Sequence, residues 1–268
     1  MPKLAHPWHA CPAAALRGVR GVLTDIDDTL TTEGVISPEA LLALSALHQA
    51  GLPVIAITGR PMGWSVPVAR DTTIDAVVAE NGAVALFREG GTLVTEYEQD
   101  EATRATNAQR LQATARRILA EVPGATLARD SAGRVTDIAI DHSEFSHLSP
   151  EAIQQVVALM QAAGMNATVS SIHINGWYGS HNKLSGARWI VQRLLGRDLE
   201  NETSSWVYVG DSTNDQAMFA HFPLSVGVAN LRRFADQLTV WPAYLTDAER
   251  GAGFAEVARA VLAARTSG

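Results

Sequence analysis

The sequence predicts an α/β fold in which a doubly wound parallel sheet is interrupted by an inserted α+β domain. Short apolar runs near both ends of the chain stop at polar residues, segments of helical period separate them, and the middle third has a different pattern. The 268 residues are enough for one large or two small domains. We expect a core of residues 1–86 and 183–268, with residues 87–182 as the inserted domain.

The first third alternates apolar runs with a capped helical segment. Residues 21–26 are typical of a buried parallel strand. Ser37 marks a helix start, and Gly51 marks its end. Apolar runs at 53–57 and 74–79 also end at polar residues. Ligands of such sheets bind beyond the carboxyl ends of the strands, so we expect the functional site there.

The middle third predicts an α+β unit. Helices are expected at about 100–121 and 149–163. Four strands accompany them, and the second and third are predicted to form a hairpin. These strands span residues 92–96, 125–129, 134–140 and 167–174. From Lys183 the first pattern returns, with strands at 206–209 and 224–228 between two helices.

Composition excludes several classes of protein. The formal net charge of -7 argues against a nucleic-acid partner. No apolar stretch is long enough for a membrane span, so we expect no membrane partner. The single cysteine, Cys11, excludes an intramolecular disulfide and favours a reducing compartment. We expect a cytoplasmic chain, and the sequence gives no indication of its oligomeric state.

An acidic cluster follows the first predicted strand. Asp25, Asp27 and Asp28 lie within four positions, so their charges repel unless something positive binds there. Asp25 and Asp27 would point the same way from an extended segment. Such a pair suits Mg²⁺, and also a nucleophile beside a general acid. An acidic turn that caps a helix is the structural alternative.

Three further positions carry polar groups at element ends. Gly210-Asp211 opens a second acidic cluster after a strand, although a glycine turn with a helix cap has the same pattern. Thr58 and Gly59 follow a strand and suit phosphate oxygens. Lys183 begins a predicted helix, where ammonium and helix dipole both attract an anion. A lone lysine is more often a solvated surface residue.

Taken together, these motifs resemble those of the haloacid dehalogenase-like hydrolase superfamily. The gap of roughly a hundred residues between Asn81 and Lys183 resembles the large α/β cap of its sugar-phosphatase branch (subclass IIB). Asp28 departs from the glycine that is frequent there in that branch. The four motifs are similar to Asp25-x-Asp27-x-Thr29, Thr58, Lys183 and Gly210-Asp211-x-x-Asn214-Asp215, in that order.

The resemblance implies a role for each motif residue. Asp25 would form an aspartyl-phosphate, and Asp27 would protonate the leaving alcohol and then activate water. Thr58 and Lys183 would complete the catalytic set. Phosphate would be bound by Thr58, Gly59, Lys183 and Asn214. Mg²⁺ would bind the Asp25 carboxylate, the Asp27 carbonyl and the Asp211 carboxylate, with Asp215 orienting its waters.

The expected substrate is a small phosphorylated metabolite, with sugar phosphates as the first choice by resemblance. Polar residues near the inserted domain are candidates for its recognition, although His173 and Asn175 could equally lie on a solvent-facing side of a strand. The candidates are Arg60, Asn81, His173, Asn175, Tyr178 and Asn182.

Three rival functions remain open. A sugar phosphomutase or phosphotransferase would use the same aspartyl-phosphate with another acceptor. A signalling receiver domain also places acids, threonine and lysine around a parallel sheet, but it is much shorter and lacks an insertion. The third is a sugar-phosphate-binding regulator without catalytic activity. The presence of all the motif residues argues against it.

Overall fold

The computed structural model describes residues 5–266. Helices form where capping residues and apolar periodicity predict them. Ser37 and Ser149, for example, accept the first free amides of their helices. The α-helices are α1 (Ala13–Arg17), α2 (Pro38–Gln49), α3 (Met62–Asp71), α4 (Glu101–Glu121), α5 (Pro150–Ala162), α6 (Lys183–Leu195), α7 (Gln216–His221) and α8 (Arg250–Thr266).

The strands form a large sheet, a small sheet and a two-stranded hairpin. The large sheet has the order β1-β15-β14-β13-β2-β5-β6-β7-β8, and the small sheet β11-β12-β10-β9. In chain order the strands are β1 (His6–Pro7), β2 (Gly21–Thr24), β3 (Thr31–Thr32), β4 (Val35–Ile36), β5 (Val54–Ile57), β6 (Ala76–Ala79), β7 (Val84–Glu89), β8 (Thr92–Tyr97), β9 (Thr126–Leu127), β10 (Asp137–Asp141), β11 (Asn166–Val169), β12 (His173–Trp177), β13 (Trp206–Gly210), β14 (Leu224–Gly227) and β15 (Tyr244–Leu245).

The large sheet is doubly wound, as predicted. In the order of the sheet, neighbouring strands pair in parallel from β1 through β15, β14, β13, β2 and β5 to β6. One face packs against α1, α2 and α8 through residues such as Leu44 and Phe254. The other packs against α6 and α7 through residues such as Ile190 and Phe219. Both faces are therefore covered, which explains the uniformly apolar strands.

The inserted unit, defined here as α4 to β12, has its own core. α4 and α5 cover one face of the small antiparallel sheet through Leu111, Val156 and Ile174, among others. His173 and Asn175 alternate with Ile174 and thus lie on the opposite face. In the described part of the chain, no helix is long and apolar enough to cross a membrane.

Three strand predictions in the middle third were partly wrong. The strand predicted at 92–96 forms, but β8 pairs with β7 at the edge of the large sheet. The strand predicted at 167–174 is two strands, because the Ser170 hydroxyl accepts the Ile172 and His173 amides and closes a turn. β9 and β10 pair as predicted, but β10 starts late because the Val135 amide donates to Glu80.

Candidate active site

Asp25 and Asp211 follow two neighbouring strands of the large sheet. β2 and β13 pair in parallel with Val209 opposite Thr24, so the residues after each strand meet at one edge. Asp25, Asp211 and Asp215 each offer an oxygen, and these oxygens lie within 4.8 Å of one another. The fold therefore joins the two acidic motifs into one buried group.

Lys183, the first residue of α6, lies between two of these acids. Its Nζ donates to Asp25 Oδ1 at 2.6 Å and to Asp215 Oδ1 at 2.8 Å, and Asn214 Oδ1 is 3.4 Å away. Burial would lower the pKa of Lys183, but Asp215 and Asp25 raise it above its ordinary value. The lysine therefore stays charged at neutral pH. We call Asp25, Lys183, Asp211 and Asp215 the acid cluster.

Asp215 is held in place from behind. The Tyr208 hydroxyl donates to its Oδ1 at 2.5 Å, and the amides of Asp211 and Ser212 donate to its Oδ2 at 2.9 and 3.1 Å. A Cβ at Gly210 would lie 2.5 Å from Asp215 Oδ2, so only glycine fits this turn. The fourth motif is thus a rigid turn that aims a carboxylate at Lys183.

The donor set of the acid cluster suits a hard divalent cation. Asp211 Oδ1 is buried and has no hydrogen-bond partner among residues 5–266, whereas its Oδ2 accepts from Asn230 at 3.2 Å. Burial, Asp25 and Asp215 raise the pKa of Asp211 well above its ordinary value. Within the acid cluster, three carboxylates and one ammonium leave two negative charges, which one divalent cation would balance. All-oxygen ligands of this kind fit Mg²⁺.

Asp27 lies beside the acid cluster but pairs with Arg60. Arg60 Nε donates to both Asp27 oxygens at 2.9 and 3.0 Å. The same guanidinium donates to Glu144 at 2.8 Å and to Asp130 at 3.2 Å, and Glu144 is 2.9 Å from His173 Nε2. We call these five residues the Arg60 cluster. Its last three members come from the inserted unit.

Burial and neighbouring groups shift the pKa values of Asp27 and Glu144 in opposite directions. Burial raises the pKa of Asp27 above its ordinary value, although Arg60 opposes this. Burial would also raise the pKa of Glu144, but hydrogen bonds from His173 and Arg60 lower it to about 2. Glu144 is therefore ionised at neutral pH.

Thr58 and Gly59 lie at the end of β5, under the inserted unit. The Thr58 side chain is fully buried, and its Oγ1 accepts the Arg60 amide at 3.0 Å. The Gly59 carbonyl accepts from Asn175 at 3.2 Å and from Arg134 at 2.9 Å. These contacts hold the loop after β5 against the small sheet.

Asn81 lies directly behind this loop. Its amide donates to the Thr58 carbonyl at 2.9 Å, and a Cβ on Gly59 would lie 3.3 Å from Asn81 Nδ2. That Nδ2 is buried and has no partner within the described residues. Asn81 also has a φ of 56°, a conformation that asparagine tolerates better than most residues.

The structure shows why aspartate fits at position 28, where glycine is frequent in the branch that the sequence resembles. Its φ of 53° lies in the left-handed region, which glycine adopts without strain. Aspartate is one of the few other residues found there. Its carboxylate pairs with Arg250 at 3.0 Å and with Arg233 at 3.3 Å. The substitution therefore fits both the backbone and the charges around it.

Two predicted substrate residues lie away from this site. The Tyr178 hydroxyl lies 3.3 Å from both Thr114 Oγ1 and the Ala163 carbonyl, inside the core of the inserted unit. The exposed Asn182 caps α6 by accepting the Leu184 amide at 2.9 Å. Their polar side chains stabilise the fold, so we do not retain them as substrate contacts.

A cavity of about 320 Å³ opens beside Asp27. It lies between the loop after β2, the β3–β4 hairpin and the loop after β10. Phe145, on the last of these loops, is 55% exposed and stacks on the Arg129 guanidinium. The cavity is lined by Asp27, Asp28, Thr31, Glu33, Gly34, Arg60, Ser143, Glu144, Phe145, Ile172 and Arg250.

Sequence reasoning missed several residues of this site. Glu144 and Asp130 lie in loops of the inserted unit, and Asn230 lies in the 3₁₀ helix that follows β14. An acid that soon follows a predicted strand was the available signal for Glu144, because β10 ends at Asp141. Tyr208 could not be identified from the sequence, because it lies within a uniformly buried strand among apolar residues.

The chain resembles known proteins in both sequence and fold. Residues 22–122 match the family model described as haloacid dehalogenase-like hydrolase. A phosphoglycolate phosphatase of Methanothermobacter thermautotrophicus is 27% identical over 249 residues, which cover 90% of this chain and 98% of the relative.

Solved structures share the fold at low identity. A Thermoplasma acidophilum protein has a TM-score of 0.67 at 16% identity, covering 91% of this chain and 98% of that one. The sucrose-phosphatase of Synechocystis, in complex with sucrose and phosphate, has a TM-score of 0.63 at 16% identity and covers 91% of this chain and 98% of its own. A subclass IIB sugar phosphatase has a TM-score of 0.61 at 16% identity and covers 90% of this chain and 98% of its own. The predicted fold class is confirmed.

Proposed function

We propose that this chain, which is similar to phosphatases of the haloacid dehalogenase-like hydrolases, hydrolyses a sugar phosphate with Mg²⁺ through an aspartyl-phosphate on Asp25. One observation carries the proposal: Lys183 Nζ lies 2.6 Å from Asp25 in a buried group of acids at the ends of adjacent strands. A buried nucleophile beside a fixed ammonium and a phosphate-binding threonine suits in-line phosphoryl transfer.

Two steps would complete the reaction. An Asp25 oxygen attacks phosphorus, the bond to the leaving oxygen breaks, and Asp27 supplies the proton that this oxygen needs. Water then attacks phosphorus, Asp27 takes its proton, and the bond to Asp25 breaks. Lys183, Thr58 and the Gly59 amide would hold the phosphoryl oxygens, with Asn214 next to Lys183.

Asp211 Oδ1, the Asp25 carboxylate and the main-chain carbonyl of Asp27 would hold the metal ion, with Asp215 beside them. When bound, Mg²⁺ would neutralise charge on the transferring group and on the acids. The unpartnered Asp211 oxygen supports this assignment. We propose Mg²⁺ over softer metals because the donors are all oxygen.

We propose that the inserted unit acts as the cap of this enzyme and that the large sheet with its helices is the catalytic core. The boundary predicted at residue 87 falls inside β7, which pairs with β8 in the large sheet, so the cap begins at α4. Arg134 and Asn175 of the inserted unit contact Gly59, next to Thr58. A cap so placed would exclude water and select the substrate. Arg60, His173, Asn175 and Asn81 remain proposed recognition or support residues.

A sugar phosphate fits the charges of the cavity. Four carboxylates and two guanidinium groups line it, which leaves a surplus of negative charge. An uncharged polyol can donate hydrogen bonds to carboxylates such as Glu144, whereas an anionic leaving group would meet repulsion. The sucrose-phosphatase and the subclass IIB sugar phosphatase support the same class.

Phosphoglycolate is the second candidate. The relative with 27% identity carries that activity in its name. Arg60 and Arg250 line the cavity and could pair with the carboxylate of glycolate. The competing partners of Arg60, Asp27, Asp130 and Glu144, make it the less favoured choice.

Phosphate release from a panel of sugar phosphates and phosphoglycolate, measured with Mg²⁺, tests the proposal. We expect turnover of sugar phosphates without a bisphosphate activator, and a kcat/KM for phosphoglycolate that is lower. An absolute need for a sugar bisphosphate would favour a phosphomutase instead. Binding of sugar phosphate without any release would favour a non-catalytic regulator.

A further inference from the structure

Arg60 connects the proposed general acid to the inserted unit. Its side chain is 5% exposed and lies over the Trp64 ring at 4.9 Å. One edge of the guanidinium binds Asp27, and its two terminal nitrogens bind Asp130 and Glu144. The planar fork therefore has a single orientation that satisfies all three acids.

Glu144 is itself held firmly. The Asp141 carboxylate accepts the amides of Ser143 and Glu144 at 3.1 and 2.9 Å, and those of Phe145 and Ser146 at 2.9 and 3.2 Å. His173 contacts the second oxygen of Glu144. The loop after β10 thus presents a fixed carboxylate to Arg60.

The hydrogen bonds that the Asp27 carboxylate accepts from described residues come from Arg60 Nε. Movement of the inserted unit away from the large sheet would remove Glu144 and Asp130, leaving Arg60 with Asp27 as its remaining acid. The guanidinium would then be free to swing with Asp27, and the carboxylate would lose its fixed position. Small errors in the position of a catalytic group cost large factors in rate.

We propose that Arg60 and Glu144 are positioning residues that set Asp27 for proton transfer only when the inserted unit is seated on the large sheet. This inference rests on the proposed function, in which Asp27 is the general acid. It assigns Glu144 a role through Arg60, without contact with the reacting atoms.

The test compares two substrates of similar shape, phenyl phosphate and 4-nitrophenyl phosphate. Phenolate has a conjugate-acid pKa of about 10 and needs a proton as it leaves, whereas 4-nitrophenolate is a much weaker base. For Glu144→Gln we expect kcat/KM for phenyl phosphate to fall about tenfold and that for 4-nitrophenyl phosphate by less than about twofold. Glu121→Gln, an exposed partner of Arg117, is the matched control and should change neither.

Equal losses on both esters would overturn the proposal, because a merely structural role slows both alike. Asp130→Asn, which removes the other partner of Arg60, is the second variant and should show the same selectivity more weakly. If Glu144→Gln does not fold by circular dichroism, Asp130→Asn decides alone. A wild-type enzyme that turns over neither these esters nor any sugar phosphate, or an active Asp25→Asn, would instead contradict the proposed function.

Discussion

The acid cluster and the Arg60 cluster lie side by side but are assembled differently. Each member of the acid cluster follows a strand of the large sheet or begins α6. The Arg60 cluster joins Asp27 and Arg60 to three residues of the inserted unit. Chemistry that is common to a family can be fixed within one sheet, whereas substrate selection can vary with an insertion. The two clusters should therefore respond differently to mutation, metal and pH.

The largest effect is expected at Asp25. Asp25→Asn removes the attacking oxygen but keeps the shape, so kcat should fall by at least roughly 10⁴-fold while the fold persists. Phosphate release and circular dichroism check the two halves of this prediction. Asp71→Asn, an exposed acid paired with Arg70, is the control. Retained turnover would show that Asp25 is not the nucleophile.

Asp211→Asn should mainly affect the metal. We expect the apparent affinity for Mg²⁺ to fall by at least about 100-fold, because a charged ligand is lost. In EDTA the same variant should be more stable, with Tm higher by about 2–4 °C, because one of the buried, mutually repelling carboxylates is gone. Calorimetry with and without Mg²⁺ measures this. A lower Tm in EDTA would contradict the electrostatic account.

Asp211 and Glu144, one acid from each cluster, should also respond to pH with opposite sign. The folded-state pKa of Asp211 is raised, so without metal its contribution to stability is present below its unfolded value and is lost as pH rises. The folded-state pKa of Glu144 is lowered to about 2, so its contribution is present above the unfolded value of 4.5 and is lost as pH falls toward 2.

Urea unfolding in EDTA, from acid to neutral pH, separates these contributions. The free-energy difference between wild type and Glu144→Gln should shrink as the solution is acidified. The advantage of Asp211→Asn over wild type should grow as pH rises above the ordinary aspartate value of 3.8. Parallel curves for the two variants would remove the electrostatic distinction between Asp211 and Glu144.

Much of the acid cluster could be predicted from the sequence, because each motif residue lies next to the element that positions it. Asp25 and Asp211 end apolar runs, and Lys183 begins a helix. Tyr178 was predicted to contact the substrate, but its hydroxyl lies in the core of the inserted unit, because Tyr178 shares the side of Ile174 and not that of His173 and Asn175. Glu144 and Asp130 reach Arg60 only through tertiary folding, which no local pattern reports.

The smallest effect is expected at the mouth of the cavity. Phe145→Ala removes an exposed ring stacked on Arg129. We expect KM for the preferred sugar phosphate to rise about 2–5-fold, with kcat nearly unchanged. Steady-state kinetics checks this, and Leu42→Ala, an exposed apolar side chain on α2, is the control. A large loss of kcat would place Phe145 closer to the chemistry than the cavity indicates.

Chemical trapping of the intermediate tests the central claim most directly. In Asp27→Asn the second step lacks its base, so the phosphorylated enzyme should accumulate with 4-nitrophenyl phosphate and Mg²⁺. Borohydride converts an aspartyl-phosphate into homoserine, which mass spectrometry locates in the chain. We predict homoserine at position 25, and only when substrate and Mg²⁺ are both present. Nitrophenol release with no reduced residue, or reduction at another aspartate, would contradict the account.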